Sequence, residues 1–203
     1  MRWIILGVFA LLAACTGTPK HYVSDEIARA SAYVHDGPPM LALYTMVNNR
    51  HGAGEHTALL INGSQRVVFD PAGTLVHEVL IEKDDVLYGM TPRVLDFFTR
   101  AHARKSFHVV IQEIDVTPEV AEIALNLARS NGPVRSAFCA SATSNLLRKV
   151  PGFETMPSTM RPNKLRDAFG QLPGVRERAL YEYDDDDKTV ALRAFDPSQF
   201  TQN

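Results

Sequence analysis

The sequence predicts an α+β fold in which helices pack against an antiparallel sheet. Three observations carry this prediction: short apolar runs of strand length, an Asn62-Gly63 turn signal between two of them, and two Thr-Pro pairs that open helical patterns. The apolar runs are "MLALYTMV" at 40–47, "HTALLI" at 56–61 and "RVVFD" at 66–70. The Asn-Gly turn makes the last two strands antiparallel neighbours.

The rest of the chain is predicted to contain several helices and two further strands. Ser24 is a suitable N-cap for a helix that "DGPP" at 36–39 ends. After the hairpin, "LVHEVLI" at 75–81 alternates as a fourth strand does, and "FHVVIQEIDV" at 107–116 is a further strand. Helices are predicted over "TPRVLDFFTRAHA", "TPEVAEIALNLARSNGP", "RSAFCASATSNLLRKVPG" with Ser136 as N-cap, and "RPNKLRDAFGQL". The acidic run from Asp184 is expected to be a solvated turn in a polar tail.

The first residues have the composition of a secretion signal. A basic start is followed by an apolar run, and Leu12-Ala13-Ala14-Cys15 resembles the lipobox of bacterial lipoproteins. This predicts a signal peptide over 1–14, a lipidated tether over 15–22 and one domain over 23–203. Thr16 in place of Asp, by resemblance to enterobacterial sorting, favours the outer membrane over the inner. Ordinary cleavage after small residues, or an uncut membrane anchor, are the alternatives.

Composition excludes some classes of function. The formal net charge is −2 and no basic stretch is interleaved with aromatic residues, so we expect no nucleic-acid partner. The chain has no G-x-S-x-G elbow and no G-x-x-x-x-G-K-[ST] phosphate loop. His51, His56, His77 and Cys139 are zinc-ligand types, but no tight ligand pair anchors them, so we predict no metal site and no cofactor.

Cys139 has two interpretations. With Cys15 lipidated, Cys139 has no partner for a disulfide, and a buried inert thiol is the simpler reading. The alternative is a nucleophile, because a thiol at a helix N-terminus is close to unpaired N–H groups and the positive end of the helix dipole, which favour the thiolate. The same N–H groups can bind an oxyanion.

His56 and Asp70 supply the other groups that such a nucleophile needs. The hairpin returns Asp70 to the end of the strand pair where His56 lies, as a histidine and its orienting acid require. Taken singly, His56 could be a strand-end histidine with an ordinary hydrogen bond, and Asp70 a turn acid before Pro71.

"GEHTALLINGSQRVVFDPAG" followed far downstream by "FCASATSNLLRKVPG" resembles the circularly permuted papain-like hydrolases, which are related to NlpC-type cell-wall peptidases and lecithin retinol acyltransferases. The resemblance spans about residues 40–170. It implies a permuted papain-like fold with Cys139 as nucleophile, His56 as base and Asp70 as the orienting residue. His77 is the reserve for that third role.

The resemblance and the lipobox together predict a lipid-anchored thiol hydrolase at the periplasmic face of a bacterial envelope. Its expected substrate is an amide bond of peptidoglycan, cleaved through an acyl-enzyme. An acyltransferase or esterase that acts on lipids is an alternative. The other alternative is a non-catalytic envelope lipoprotein that uses the fold as a binding module. The sequence sets no oligomeric state.

Overall fold

A computed structural model describes residues 22–183 and 185–186. The predicted signal peptide, Cys15 and the predicted tether up to residue 21 lie outside the described residues. The described helices are α1 Asp25–Ala30, α2 Pro92–His102, α3 Pro118–Ser130, α4 Cys139–Leu147 and α5 Pro162–Phe169. The described strands are β1 Met40–Asn48, β2 Gly54–Asn62, β3 Arg66–Phe69, β4 Ile81–Lys83, β5 Val86–Tyr88, β6 Phe107–Asp115 and β7 Arg176–Tyr181.

The seven strands form one antiparallel sheet in the order β4-β5-β3-β2-β1-β6-β7. The predicted α+β class with an antiparallel sheet is therefore confirmed. The hairpin at Asn62 is also confirmed, since Asn62 pairs with Arg66 and Leu59 pairs with Phe69. This register places the residue after β3 beside the early part of β2.

Helices cover both faces of the sheet. Leu41 and Leu43 of β1 point into a core shared with α3, α4 and α5, whereas Ala42 and Tyr44 point into a second core shared with α2. Because alternate side chains are buried on opposite faces, β1 is apolar along nearly its whole length. A strand with one wet face would alternate apolar and polar residues instead.

Two of the predicted helix starts have the expected caps. Thr91 Oγ1 accepts from Val94 N, and Thr117 Oγ1 accepts from Val120 N. In each helix proline follows the cap, where its missing N–H costs no intrahelical hydrogen bond.

Three local predictions are wrong or incomplete. Residues 75–80 form a loop and not a strand, since Leu75 and Leu80 are buried against α2 without a strand to pair with. Ser136 is not the cap of α4; Phe138 is, with no side-chain hydrogen bond. The sequence also gave no signal for β7, an edge strand of largely exposed residues, or for the β4–β5 hairpin.

Candidate active site

One hydrogen bond joins His56 and Asp70 at the open end of the β2–β3 hairpin. His56 Nε2 lies 2.6 Å from Asp70 Oδ1. The His56 side chain is 19% exposed and the Asp70 side chain 4%. Asp70 directly follows β3, so the hairpin register alone brings its carboxylate back to the His56 end of β2.

Cys139 is the first residue of α4 and contacts the same histidine. Its sulfur is buried, and the His56 side chain and the backbone N–H groups of Thr57 and Ala140 are near enough to lower the pKa of the thiol. Since Nε2 of His56 is bonded to Asp70, Nδ1 is the ring nitrogen that remains for the sulfur. The cap residue of α4 makes no side-chain hydrogen bond, which leaves the N–H groups of the first turn for a sulfur or oxygen anion.

These contacts favour a thiolate beside an imidazolium. Burial raises the pKa of the Cys139 thiol, but the hydrogen bond and charge of His56, with the two backbone N–H groups, lower it below its ordinary value of 9.0. Burial lowers the pKa of His56, but the charge of Asp70 and the hydrogen bonds to Asp70 and Cys139 outweigh it and raise that pKa to about 10. At neutral pH His56 therefore carries a proton, and the thiol of Cys139 loses its proton more readily than an ordinary cysteine does.

The sulfur lies in a cavity of about 410 Å³. The lining residues come from the ends of several elements and from two loops: Met46, Glu55, His56, Ala72, Gly73, Thr74, His102, Arg104, Phe107, Ser136, Ala137, Cys139 and Asp186. Two of these, Ala72 and Ala137, have left-handed backbone conformations with φ of 59° and 70°. Such strained alanines are uncommon in proteins and concentrate at functional sites.

Gly73 makes room for the Asp70 carboxylate. A Cβ atom at residue 73 would lie 1.9 Å from Asp70 Oδ2 and 2.4 Å from its Cγ. Gly73 N also donates to the Asp70 carbonyl at 3.0 Å, which closes the turn. Only glycine leaves space for the acid in its present orientation.

Asp85, in the β4–β5 turn, connects the two loops that flank the site. It is fully buried, and its Oδ2 accepts from Ala72 N at 2.9 Å and from Val134 N at 2.8 Å. Its Oδ1 accepts from the Tyr22 hydroxyl at 2.8 Å, and its carbonyl accepts from Asp70 N at 2.8 Å. One carboxylate thus holds the loop after Asp70 against the segment that leads into Cys139.

A second histidine lies beside His56. His102, at the end of α2, is 7% exposed, and its Nδ1 donates to the Phe98 carbonyl at 2.8 Å. Its ring stacks on His56 with centroids 6.1 Å apart and planes inclined by 20°. This stacking limits the rotation of His56 away from Asp70 and Cys139.

His77 and His51 lie elsewhere. His77 packs against Phe97 with ring centroids 4.9 Å apart, and its Nδ1 accepts from Val79 N. His51 is exposed and lies 3.6 Å from Glu55. Asp70, and not His77, is therefore the residue in contact with His56. Among the described residues no group of three or more histidine, cysteine or acidic side chains could hold a metal ion.

Sequence reasoning missed several residues of this site. His102 is the last residue of the amphipathic helix α2, and Arg104 lies two residues beyond it. The pattern of the helix gives no sign of a cavity at its end. Asp186 was expected in a solvated turn, but its carboxylate accepts from Ser106 N at 2.9 Å and lies at the cavity. Gly73 lies in a Pro-Ala-Gly-Thr stretch that indicates a turn and gives no sign of the contact with Asp70. The positive φ of Asp85 belongs to a hairpin that the sequence did not indicate.

Comparisons with family models, with curated proteins and with solved structures each find no match. In the part of the chain that the structure describes, no helix is both long and apolar enough to cross a membrane.

Proposed function

We propose that this protein is a cysteine hydrolase of the permuted papain-like type, with Cys139, His56 and Asp70 as nucleophile, acid-base group and orienting acid. The observation that carries the proposal is that the imidazole bonded to the Asp70 carboxylate lines the same cavity as Cys139 and lowers the pKa of its thiol. The order of the three residues along the chain is also the permuted order, histidine and acid before cysteine.

The geometry supports an acyl-enzyme mechanism. The Cys139 thiolate attacks the carbonyl carbon of an amide or ester, and the oxyanion forms next to the N–H groups of the first turn of α4. The His56 imidazolium gives its proton to the leaving nitrogen or oxygen, and a thioester remains. Neutral His56 then takes a proton from water, whose oxygen attacks the thioester, and the acid product leaves with the thiolate restored.

We further propose that the substrate is an amide bond of peptidoglycan and that the protein is anchored in the envelope through Cys15. The support is the lipobox-like sequence before Cys15, which would hold the enzyme beside that polymer. An ester or amide of a lipid is the second candidate substrate. A non-catalytic module is disfavoured because it would have no use for a histidine that lowers the pKa of the Cys139 thiol.

Alkylation of the folded protein tests the nucleophile. Cys139 should react with iodoacetamide at pH 6 at least tenfold faster than an ordinary thiol, and His56→Ala should abolish the difference. His77→Ala is the matched control, and it should react like the wild type because His77 lies against Phe97. A wild-type rate equal to that of glutathione at pH 6 would overturn the proposal.

Digestion of purified peptidoglycan tests the substrate. The wild type should release soluble muropeptides or free peptides with a new amine terminus, and Cys139→Ala should release none. If a wild-type protein with a fast-reacting thiol leaves peptidoglycan intact but cleaves a fatty-acyl ester or amide, the chemistry stands and the substrate assignment falls.

A further inference from the structure

Arg104 places a positive charge in the wall of the cavity that holds Cys139. The residue lies two positions beyond the end of α2 and is held by a backbone bridge to Phe107. Its side chain is only 3% exposed, and Nε donates to the Ala101 carbonyl at 3.1 Å. Its Nη2 is buried and has no hydrogen-bond partner among the described residues.

A buried guanidinium without an anion is costly. Arginine keeps its charge on burial, so it cannot escape the desolvation penalty by losing a proton as a lysine does. Each buried N–H without an acceptor adds to that cost. An anionic ligand that binds beside the guanidinium would supply the missing acceptors and offset this cost.

The acids that line the same cavity are committed to other partners. Glu55 accepts from Asn48 Nδ2 at 3.1 Å, and Asp186 accepts from the backbone N–H and hydroxyl of Ser106. Arg104 forms no salt bridge with either acid within the described residues, although its charge helps to lower the pKa of Asp186 after the larger effect of Ser106. The cation therefore remains available to a molecule that enters the cavity.

We propose that Arg104 binds a carboxylate of the substrate, so that the enzyme acts on acyl compounds that carry a free carboxylate near the scissile bond. This inference rests on the proposed function of Cys139. Specificity follows because a substrate with an amide in place of the carboxylate leaves the guanidinium buried and unpaired. Arg104 is a binding residue in this proposal and takes no part in proton transfer.

Iodoacetate and iodoacetamide are suitable probes, since they have nearly the same shape and differ by one negative charge. The measurement is the rate of Cys139 alkylation by iodoacetate divided by the rate with iodoacetamide. This ratio is then divided by the same ratio for glutathione. Arg104→Met should lower this ratio tenfold or more, because iodoacetate carries the negative charge that the guanidinium binds and iodoacetamide does not. Because the His56 imidazolium also attracts iodoacetate, the effect of Arg104 is read from the difference between the variant and the wild type.

Arg66→Met is the matched control. Arg66 is also buried, at 5% exposure, and its Nη2 also has no partner among the residues that the structure describes. Its guanidinium lies over the Tyr33 ring, its Nε donates to the Met90 carbonyl, and it does not line the cavity. The control should keep the wild-type ratio. An equal fall in both variants, or no fall in Arg104→Met, would overturn the inference.

A competition experiment uses the wild type alone, in case Arg104→Met fails to fold. Sodium acetate should slow iodoacetamide alkylation of Cys139, and acetamide or sodium chloride at the same concentration should not. Equal effects of acetate and chloride would contradict a carboxylate site. If Cys139 does not react quickly with iodoacetamide at all, the proposed function fails first; if it reacts quickly without any dependence on acetate, only the carboxylate inference fails.

Discussion

At the level of single residues, Asp70 depends on the missing side chain at position 73. We expect Gly73→Ala to push the carboxylate away from His56, because the new methyl group would overlap Asp70 Oδ2. Misplacement of a catalytic group by about 1 Å can reduce turnover by about 100-fold. The measurement is hydrolase activity together with iodoacetamide alkylation at pH 6.

Gly152→Ala is the control for that substitution. Gly152 has a φ of 87° and nothing within 4 Å of its would-be Cβ, so alanine there adds backbone strain but no overlap. We expect lower stability and unchanged activity. Wild-type activity in Gly73→Ala would show that the position of Asp70 does not matter for the reaction.

The protonation states of Cys139 and His56 define a pH range for activity. The lowered pKa of the thiol predicts that the alkylation rate rises with pH at values below 9.0, and the raised pKa of His56 predicts that hydrolysis falls as pH rises through about 10. In His56→Ala the rise of the alkylation rate should move to higher pH. Burial raises the pKa of the thiol, and His56 no longer opposes this effect. A pH–rate profile with iodoacetamide and one with substrate measure the two limbs; identical limbs in both proteins would contradict the ion pair.

The same shift predicts a pH dependence of stability. The pKa of His56 is raised above its ordinary 6.5, so the folded state gains stability below pH 6.5 and loses it as pH rises through about 10. Urea unfolding at pH 6 and pH 10 should show a smaller difference for His56→Ala than for the wild type. An unchanged difference would place the source of the pH dependence elsewhere.

The residues that sequence reasoning did find share one property: their neighbours are set by local chain geometry. His56 and Asp70 meet because a short hairpin fixes their register, and Cys139 was noticed because it lies at a helix start. Arg104 and His102 reach the cavity only through the packing of α2 on the sheet. No spacing in the sequence encodes that packing.

At the level of elements, the β4–β5 hairpin acts on the site through Asp85. In Asp85→Ala, two backbone N–H groups and the Tyr22 hydroxyl lose their acceptor. Buried unsatisfied donors cost about 1–3 kcal/mol each, so we expect a fall of about 3 kcal/mol or more in the free energy of unfolding. Urea denaturation gives this quantity, and the alkylation rate of Cys139 reports the accompanying displacement of the loops.

Asp85→Asn separates geometry from charge. Asparagine tolerates the left-handed φ of 62° and its oxygen can accept from both N–H groups, while its amide faces the Tyr22 oxygen. We expect this variant to keep most of the stability that alanine loses. Equal losses in both variants would mean that the negative charge, and not the hydrogen-bond pattern, holds the two loops.

The elements that the sequence failed to predict are those with weak local patterns. β7 is mostly exposed and has no apolar alternation, and it exists because β6 offers an edge to pair with. Residues 75–80 have the alternation of a strand, but β5 already occupies the free side of β3. Whether a short segment at the edge of a sheet forms a strand depends on which edges the rest of the sheet leaves open, and not on its own sequence pattern alone.

At the level of the whole molecule, the N-terminal segment predicts attachment to a membrane. Cys15→Ser should move the protein from the membrane fraction to the soluble fraction, because the lipid-accepting thiol is lost. Fractionation of cells with an antibody to the folded part measures the shift. Retention of the variant in the membrane fraction would instead indicate an uncut apolar segment.

The hydrogen bond from Tyr22 to Asp85 has a consequence for where the proposed hydrolase could act. Tyr22 is seven residues beyond Cys15, and a fully extended chain of that length spans at most about 25 Å. Asp85 in turn holds Val134, near the start of α4. A lipid on Cys15 would therefore confine the cavity around Cys139 to a thin layer above the bilayer, and bonds farther from the membrane would be out of reach unless the tether were lengthened.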